Sequence, residues 1–486
     1  MKFTNFLSKY KKQTPLWIAV IPLMVLIVSL ALVIKCFGTD SIMGGSQIAL
    51  LFASSVAATL SITICGGKWN ILEEAIIENI RTSASAIIIL LLIGAISGTW
   101  MLSGVVPTLI CYGLEVIHPK VFLGVACIIC ALVSLVTGSS WTTIATIGVA
   151  LMGIGKAMGF SEGWIAGAII SGAYFGDKVS ALSDTTVLAS TASRVPLFDH
   201  IRYMLITTVP SFCLALAVFF VISISHTPDS EGQIEHITQI LHHSFNITPW
   251  LLIVPILTAM LILRKLPALI TLFVATLLAS AAIYLFQPQI IEFIAGDGSA
   301  LSVFKALTIA NASSTALDTG DAMLNELVAT RGMSGMMNTI WLVLCAMCFG
   351  GVMAGSGMLS ALTRLFMSFA HRTISVVGST LATGIFCNLT TADQYISIII
   401  TGNTFSELYR RRGLEGRLLS RSVEDSATVT SVLVPWNSCG MTQSTVLGVA
   451  TITYLPYCIF NLASPLISLI VAAIGYKIVK TEAKNE

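Results

Sequence analysis

The chain has 486 residues, of which 55% are hydrophobic and 10% charged, and its 26 Lys and Arg against 24 Asp and Glu leave a net charge of +2. A typical soluble domain is about 25% charged, whereas this chain has a mean hydropathy of +0.89. The balance excludes a soluble globular core and makes lipid the solvent, and basic residues confined to short clusters beside apolar runs exclude a nucleic-acid partner.

In chain order, the first apolar run, 17–36, follows the basic stretch Lys9–Lys12. At about 20 residues it is long enough to cross a bilayer and too long for a signal-peptide core, so it is expected to be a retained first helix. A second span covers 46–65. Residues 68–83 are amphipathic, with Leu72, Ala75, Ile76 and Ile80 on one face and Glu73, Glu74 and Glu78 off it. They are expected to lie flat on the membrane surface. Further spans are expected at 85–103, 163–193, 200–224, 249–263, 266–286, 339–357, 422–447 and 452–478. Two long apolar runs, 120–160 and 373–410, are interrupted by polar residues at 137–143 and 388–395. Residues 225–248 read as a polar loop, whose His236, His242 and His243 are expected to be solvated, and 287–337 read as mixed. Cys127/Cys130 and Cys345/Cys348 have C-x-x-C spacing but sit in apolar runs, and are expected to be small packed residues.

The positive-inside rule orients these spans. Lys2, Lys9, Lys11, Lys12, Arg194, Arg202, Arg264, Lys265, Arg372, the cluster Arg410, Arg411, Arg412, Arg417 and Arg421, and Lys477, Lys480 and Lys484 all belong on the cytoplasmic side. The 225–248 loop, with Asp229, Glu231 and Glu235, belongs outside. These assignments agree only if the two interrupted runs are re-entrant hairpins entering from opposite sides. The expected fold is an all-α polytopic membrane protein with about ten crossings, two re-entrant hairpins and two broken helices, both termini cytoplasmic.

The halves resemble each other. Gly94, Gly98 and Met101–Ser103 match Gly351, Gly355 and Met358–Ser360 at an offset of 257. Thr137–Thr143 faces Asn388–Gln394, and Ser180–Leu182 faces Ser431–Leu433, at an offset of 251. With the opposed hairpins this is an inverted-repeat secondary transporter. The expected organisation is a tail and first helix (1–45), a first repeat (46–225) with a hairpin at 118–160 and a broken helix at 163–193, an outer loop and linker helix (226–265), a second repeat (266–478) with a hairpin at 373–410 and a broken helix at 422–447, and a cytoplasmic tail (479–486).

Ionisable residues inside spans cost about 2.5–3.5 kcal/mol each and mark function by default. They concentrate in four places. Gly172–Thr186 carries Asp177, Lys178 and Asp184 with Ser180, Ser183, Thr185 and Thr186, and Gly172 and Gly176 weaken the helix ahead of them. An internal Asp177–Lys178 charge pair is the structural alternative. Ser420–Gly440 carries Thr428, Ser431 and Asn437 beside the helix-breaking Pro435, with Glu424 and Asp425 nearer the cytoplasmic end, where a pairing with the Arg410–Arg421 cluster is the structural alternative. The two interruptions supply Thr137, Gly138, Ser139 and Ser140, and Asn388, Thr390, Thr391 and Asp393. Carboxylates, hydroxyls and amide oxygens suit a hard cation such as Na⁺. One carboxylate can hold either Na⁺ or a proton, and that competition gives exchange.

These segments resemble a known family. Gly176–Thr186, GDKVSALSDTT, is similar to the GDK-x-SPLSDTT signature of the NhaC family of Na⁺/H⁺ antiporters, in the ion transporter superfamily. Cys387–Tyr395, CNLTTADQY, and Glu424–Asn437, EDSATVTSVLVPWN, are similar to its CN-x-x-TGDQY and EDSGTVTSPLIPWN. The resemblance covers most of the chain beyond the first helix. It implies Na⁺/H⁺ exchange across the inner membrane of a bacterium, with some members exchanging organic acids, and puts Asp177, Ser180, Asp184, Asp393, Thr428, Ser431 and Asn437 on motif positions; Thr185, Asn388 and Thr391 join them as candidate ion ligands. The chain has Ala181 and Val432 where the family pattern has proline, and Ala392 and Ala427 where it has glycine. No cofactor is expected, since Na⁺ is a transported substrate. The expected partners are Na⁺ and H⁺, with Li⁺, a small organic solute and a homodimer left open. An organic acid would need a fixed cation, and Lys178 is the one basic residue expected at mid-membrane. An intramembrane aspartyl protease would need a second facing aspartate, but Gly320-Asp321 lies outside the spans, so no enzyme is expected.

Overall fold

The computed structural model describes residues 14–37, 44–225, 231–264, 266–317, 325 and 328–478. Lys2, Lys9–Lys12, Asp229, Lys265, Gly320-Asp321 and the 479–486 tail lie outside the described residues. Among the described residues the backbone is helical apart from turns and one isolated bridge, Thr315 to Thr330. Helices satisfy their own backbone polar groups, which lipid demands. Eight helices are long and apolar enough to cross a membrane, and up to eleven spans result if each sharply bent pair counts as one.

Both interrupted runs are helical hairpins. The first rises along Phe122–Thr137 and turns at Gly138, whose φ of 66° closes the helix. Ser139 Oγ then accepts the Thr142 N–H at 3.2 Å to start the return arm. That arm runs through a π-helical turn, Ile144–Gly148, to Val149–Ala157, and the Phe122 and Phe160 rings meet at the base, 5.5 Å apart. The second rises along Thr373–Thr391, turns at Ala392 with φ 56°, and returns along Gln394–Arg411. Asp393 Oδ1 caps the return arm by accepting the Ile396 N–H at 2.9 Å. The Arg412 guanidinium closes the base, donating to the His371 and Ala370 carbonyls.

Each hairpin packs on a broken helix. The first broken helix is Glu162–Val179 and Asp184–Ala192 around the gap Ser180–Ser183. The second is Gly416–Val423, a π-turn Glu424–Thr428, a 3-10 turn Ser431–Leu433 and, beyond Pro435, Ser438–Leu447. Both gaps exist although Ala181 and Val432 replace the family's prolines. Gly172 and Gly176 do not weaken their helix, which runs unbroken through them. They admit a neighbouring backbone, since a Cβ there would stand 2.1 and 2.2 Å from the Cys127 and Ala131 carbonyl oxygens.

The two hairpins point in opposite directions. Gly163, beside the base of the first, lies against Thr453 and Tyr457, whereas Gly416, beside the base of the second, lies against the Ser193 carbonyl at the other end of the first broken helix. The repeat is tight in its bonding. Ser134 Oγ donates to the Ala173 carbonyl, and Asn388 Nδ2 to that of Ala427. Ser140 meets Asp177, and Gln394 meets Ser431. Thr137 meets Thr143, and Thr391 meets Ser397. Ser183 and Asn437 cap the second halves of the two broken helices. Every residue of the second set is numbered 254 above its partner in the first (Ser183 and Asn437, for example). The expected offset of 251 is therefore corrected to 254, and that of 257 to 253, since the left-handed Gly104 and Gly357 that open the next helices stand 253 apart. Each lies about one helical turn from the true register, and a one-turn slip keeps small residues on the same face.

Other expectations are corrected as well. Residues 68–83 are not a surface helix; they begin the continuous helix Trp69–Leu102, whose Leu72, Ala75 and Asn79 are buried against Met337–Gly355. The 225–248 loop contains a helix, Glu231–Ser244, with His236, His242 and His243 exposed. The helix starting at Ile253 ends at Leu263, only 11 residues on, after a 3-10 turn at Pro249–Leu252.

The first hairpin tip sits hard against the first gap, where a Cβ on Gly138 would lie 2.7 Å from the Leu182 backbone. Gly448 has a similar φ, 72°, but open space around it. Gly448→Ala should cost about 1 kcal/mol from backbone strain alone. Gly138→Ala should cost about 2–4 kcal/mol, because overpacking adds to the strain. Thermal unfolding of the two purified variants in detergent checks the ranking.

Candidate functional site

A cavity of about 610 Å³ opens where the first hairpin tip, the first gap, the start of the second hairpin's return arm and the middle of Trp69–Leu102 meet. Asp177, in the last turn before the gap, is buried and faces it. Its Oδ2 accepts the Ser140 hydroxyl at 2.7 Å and the Ser140 N–H at 3.1 Å. Asp184 opens the helix beyond the gap, where the helix dipole favours a negative charge, and it is exposed towards the cavity. Ser183 caps that helix and shares a 2.9 Å hydrogen bond with Thr185, which also lines the cavity. Ser180 is buried in the gap, its Oγ accepting the Leu182 N–H at 3.2 Å.

The second half contributes differently. Asp393 is buried, with Oδ2 accepting the Ser83 hydroxyl at 3.1 Å and Oδ1 holding the helix cap. Tyr395 lines the cavity and has Asp177, Asp184 and Asp393 as charged neighbours. Thr391 hydrogen-bonds the Cys387 and Asp393 carbonyls. Asn388 Nδ2 donates to the Ala427 carbonyl and to Thr430, and Asn437 Nδ2 donates to the Asn388 carbonyl. Ser431 Oγ donates to the Thr428 carbonyl and meets Gln394 Oε1, while Thr428 Oγ1 is buried without a hydrogen-bond partner. Of the ten candidate ligands, Asp177, Asp184 and Thr185 line the cavity; the other seven are not part of its lining.

Among the described residues, two basic side chains other than histidine are buried, Lys178 and Arg421. Lys178 turns away from Asp177, against the expected internal pair. Its ammonium donates to Asp425 of the other repeat and, at 3.0 Å, to Ser464. Thr207 and Ser464 also donate to Asp425 Oδ1. Arg421 is not part of the surface cluster. It is fully buried, its Nε 3.8 Å from Asp425 Oδ2 and its guanidinium 5.0 Å from the centre of the Tyr203 ring. Asp425 therefore answers Lys178 and Arg421 rather than the arginines at 410–417. Asp177 and Asp393 are left with neutral donors alone.

Thr82, Ser83, Ser85 and Arg421 were not foreseen in the site. The polar run Thr82–Ser85 carried a signal, but placing a helix boundary there moved it to the surface. Arg421 was masked by the basic residues just before it.

Residues 172–476 match the model of the Na⁺/H⁺ antiporter family. The chain is 33% identical to the Na⁺/H⁺ antiporter NhaC of Bacillus subtilis, over 87% of this chain and 91% of that one. It is 34% identical to the malate-2H⁺/Na⁺-lactate antiporter of the same organism, over 85% of each chain. It is 33% identical to the arginine/ornithine antiporter ArcD of Halobacterium salinarum, over 94% of this chain and 92% of that one.

The Lys178–Asp425 pair joins the two repeats, and removing one partner of a buried pair costs about 3–5 kcal/mol. Lys178→Met should lose that much stability. The triple variant Lys178→Met, Arg421→Met, Asp425→Asn should recover most of it, since no lone charge of the cluster remains. Unfolding midpoints of both variants in detergent measure the difference.

Proposed function

The chain belongs to the Na⁺/H⁺ antiporter family, and from that premise we propose that it is a secondary active transporter exchanging Na⁺ for H⁺ by alternating access, with Asp177 and Asp184 as the carboxylates the two ions share. One observation carries the reading: Asp177 is a buried carboxylate at a cavity, beside a helix gap, and the nearby Lys178 is committed to Asp425. An uncompensated buried carboxylate is costly, so a proton or a hard cation must neutralise it before the repeats can move past each other. Either ion meets that condition, and the empty, charged site does not. This couples the two fluxes without a covalent step. Ser140 orients Asp177, and the hydroxyls of Ser139, Ser183 and Thr185 supply oxygen to replace part of the ion's water. In this reading both termini face the cytoplasm of a bacterial cell and the chain lies in its plasma membrane.

A second reading is favoured by the size of the cavity. At about 610 Å³ it exceeds the needs of a bare ion, and pockets of this size suit small organic solutes. The described lining holds two carboxylates and no Lys, Arg or His side chain. An organic cation fits it better than an organic acid.

Proteoliposomes loaded with a pH-sensitive dye test both readings. Na⁺ or Li⁺ alone should dequench the dye with the wild-type chain, and Asp184→Asn or Asp177→Asn should abolish the response while the protein still reaches the membrane. Wild-type rates in Asp184→Asn would remove Asp184 from the site. Silence towards Na⁺ and Li⁺, with a response once an amine or organic acid is added, would favour the second reading.

A further inference from the structure

One buried carboxylate has no part in the scheme above. Glu424 is fully buried, and neither of its oxygens has a hydrogen-bond partner. It opens the π-turn Glu424–Thr428, a geometry that recurs at functional sites. In that turn the Val429 N–H reaches back five residues to the Glu424 carbonyl, at 3.4 Å. Thr428 closes the turn, and its hydroxyl is buried and unpartnered as well. The charged neighbours of Glu424 are Lys178, Asp177 and Asp425, and Arg421 precedes it by one turn. Lys178 donates to Asp425, and the ion pair recorded for Arg421 is also with Asp425.

Three oxygen atoms, two from a carboxylate and one from a hydroxyl that faces it, thus lie together out of water on one π-turn with no hydrogen bond to the rest of the protein. Each unmet buried polar atom costs about 1–3 kcal/mol, and a charged one more. A hard cation answers all three at once. Among the described residues no three His, Cys, Asp or Glu side chains gather as a metal site, so the donor set does not suit a transition metal. The helix Asp184–Ala192, which begins at the cavity, packs against the same π-turn and links the two places.

We propose that Glu424 and Thr428 form a second Na⁺ site, in the second repeat and behind the cavity of Asp177 and Asp184. It rests on the reading of the chain as a Na⁺ exchanger and adds to it: two Na⁺ are bound per chain, and Na⁺ dependence is steeper than one site allows.

Equilibrium binding of radioactive Na⁺ to the full chain in detergent tests this. The wild type should bind two ions. Glu424→Gln should bind one, with the affinity of the cavity ion kept, and the double variant Asp177→Asn, Asp184→Asn should also bind one, at Glu424. Thr428→Val keeps the carboxylate and should weaken the second ion about tenfold, so the proposal stays testable if Glu424→Gln does not fold. A wild type that binds one ion overturns the second site but leaves the exchanger reading intact, whereas one that binds none sinks both. If Glu424 is only a counter-ion for Arg421, Glu424→Gln will lower the unfolding midpoint and leave bound Na⁺ unchanged, and that result also overturns the proposal.

Discussion

A charge held away from water must be neutralised where it stands, and the placement of charge in this chain follows from that constraint. Asp425, Lys178 and Arg421 answer one another in the interior, with Thr207 and Ser464 also donating to Asp425 Oδ1. The cluster spans both repeats, because Lys178 belongs to the first broken helix and the other two to the second. With the buried cations committed there, the carboxylates of Asp177 and Asp393 meet hydroxyl and backbone donors only. The fold thus pairs one carboxylate with buried cations and leaves others with neutral donors only.

The backbone supports this division. A helix that stops halfway leaves N–H and C=O groups without partners, and in lipid those groups need protein to satisfy them. Each gap is covered by a hairpin tip, and the covering bonds recur in both halves. Ser134 on Ala173 is repeated by Asn388 on Ala427, and Ser140 on Asp177 by Gln394 on Ser431. The copies differ in one chemical respect. Where the first repeat sets a carboxylate, Asp177, against its hairpin tip, the second sets a hydroxyl, Ser431. The same scaffold therefore presents an ionisable group at one gap and a neutral one at the other. The carboxylates of the second repeat lie elsewhere, at Asp393 on the tip and at Glu424 and Asp425 along the helix.

Much of this was legible in the residues. Apolar runs of span length, polar interruptions at 137–143 and 388–395, and Pro435 mark the helices, the hairpins and a gap. Lipid makes such marks reliable, because it tolerates no unpaired backbone and few charges. Asp177 and Asp184 stood out for the same reason. The repeat register was less legible, since small residues recur on a helix face every three or four positions and an alignment can slip by a turn. The helix Trp69–Leu102 was misread where its charged first half ends at Thr82, because an amphipathic face pressed on a neighbouring helix looks like one pressed on a membrane surface.

The pairing of charges was only partly legible in the sequence. Arg421 and Asp425 stand four apart on one helix, so their pair is local, whereas Lys178 adjoins Asp177 and its neighbour along the chain is not its partner. Adjacent residues on a helix face different directions, and only the packing of the two broken helices against each other selects Asp425 for Lys178. Composition and pattern determined the solvent, the helices and the residue types available to bind an ion. Tertiary structure decided which carboxylates are already neutralised and which are not, because charge compensation acts through space over a few ångströms while the sequence orders residues only along the chain.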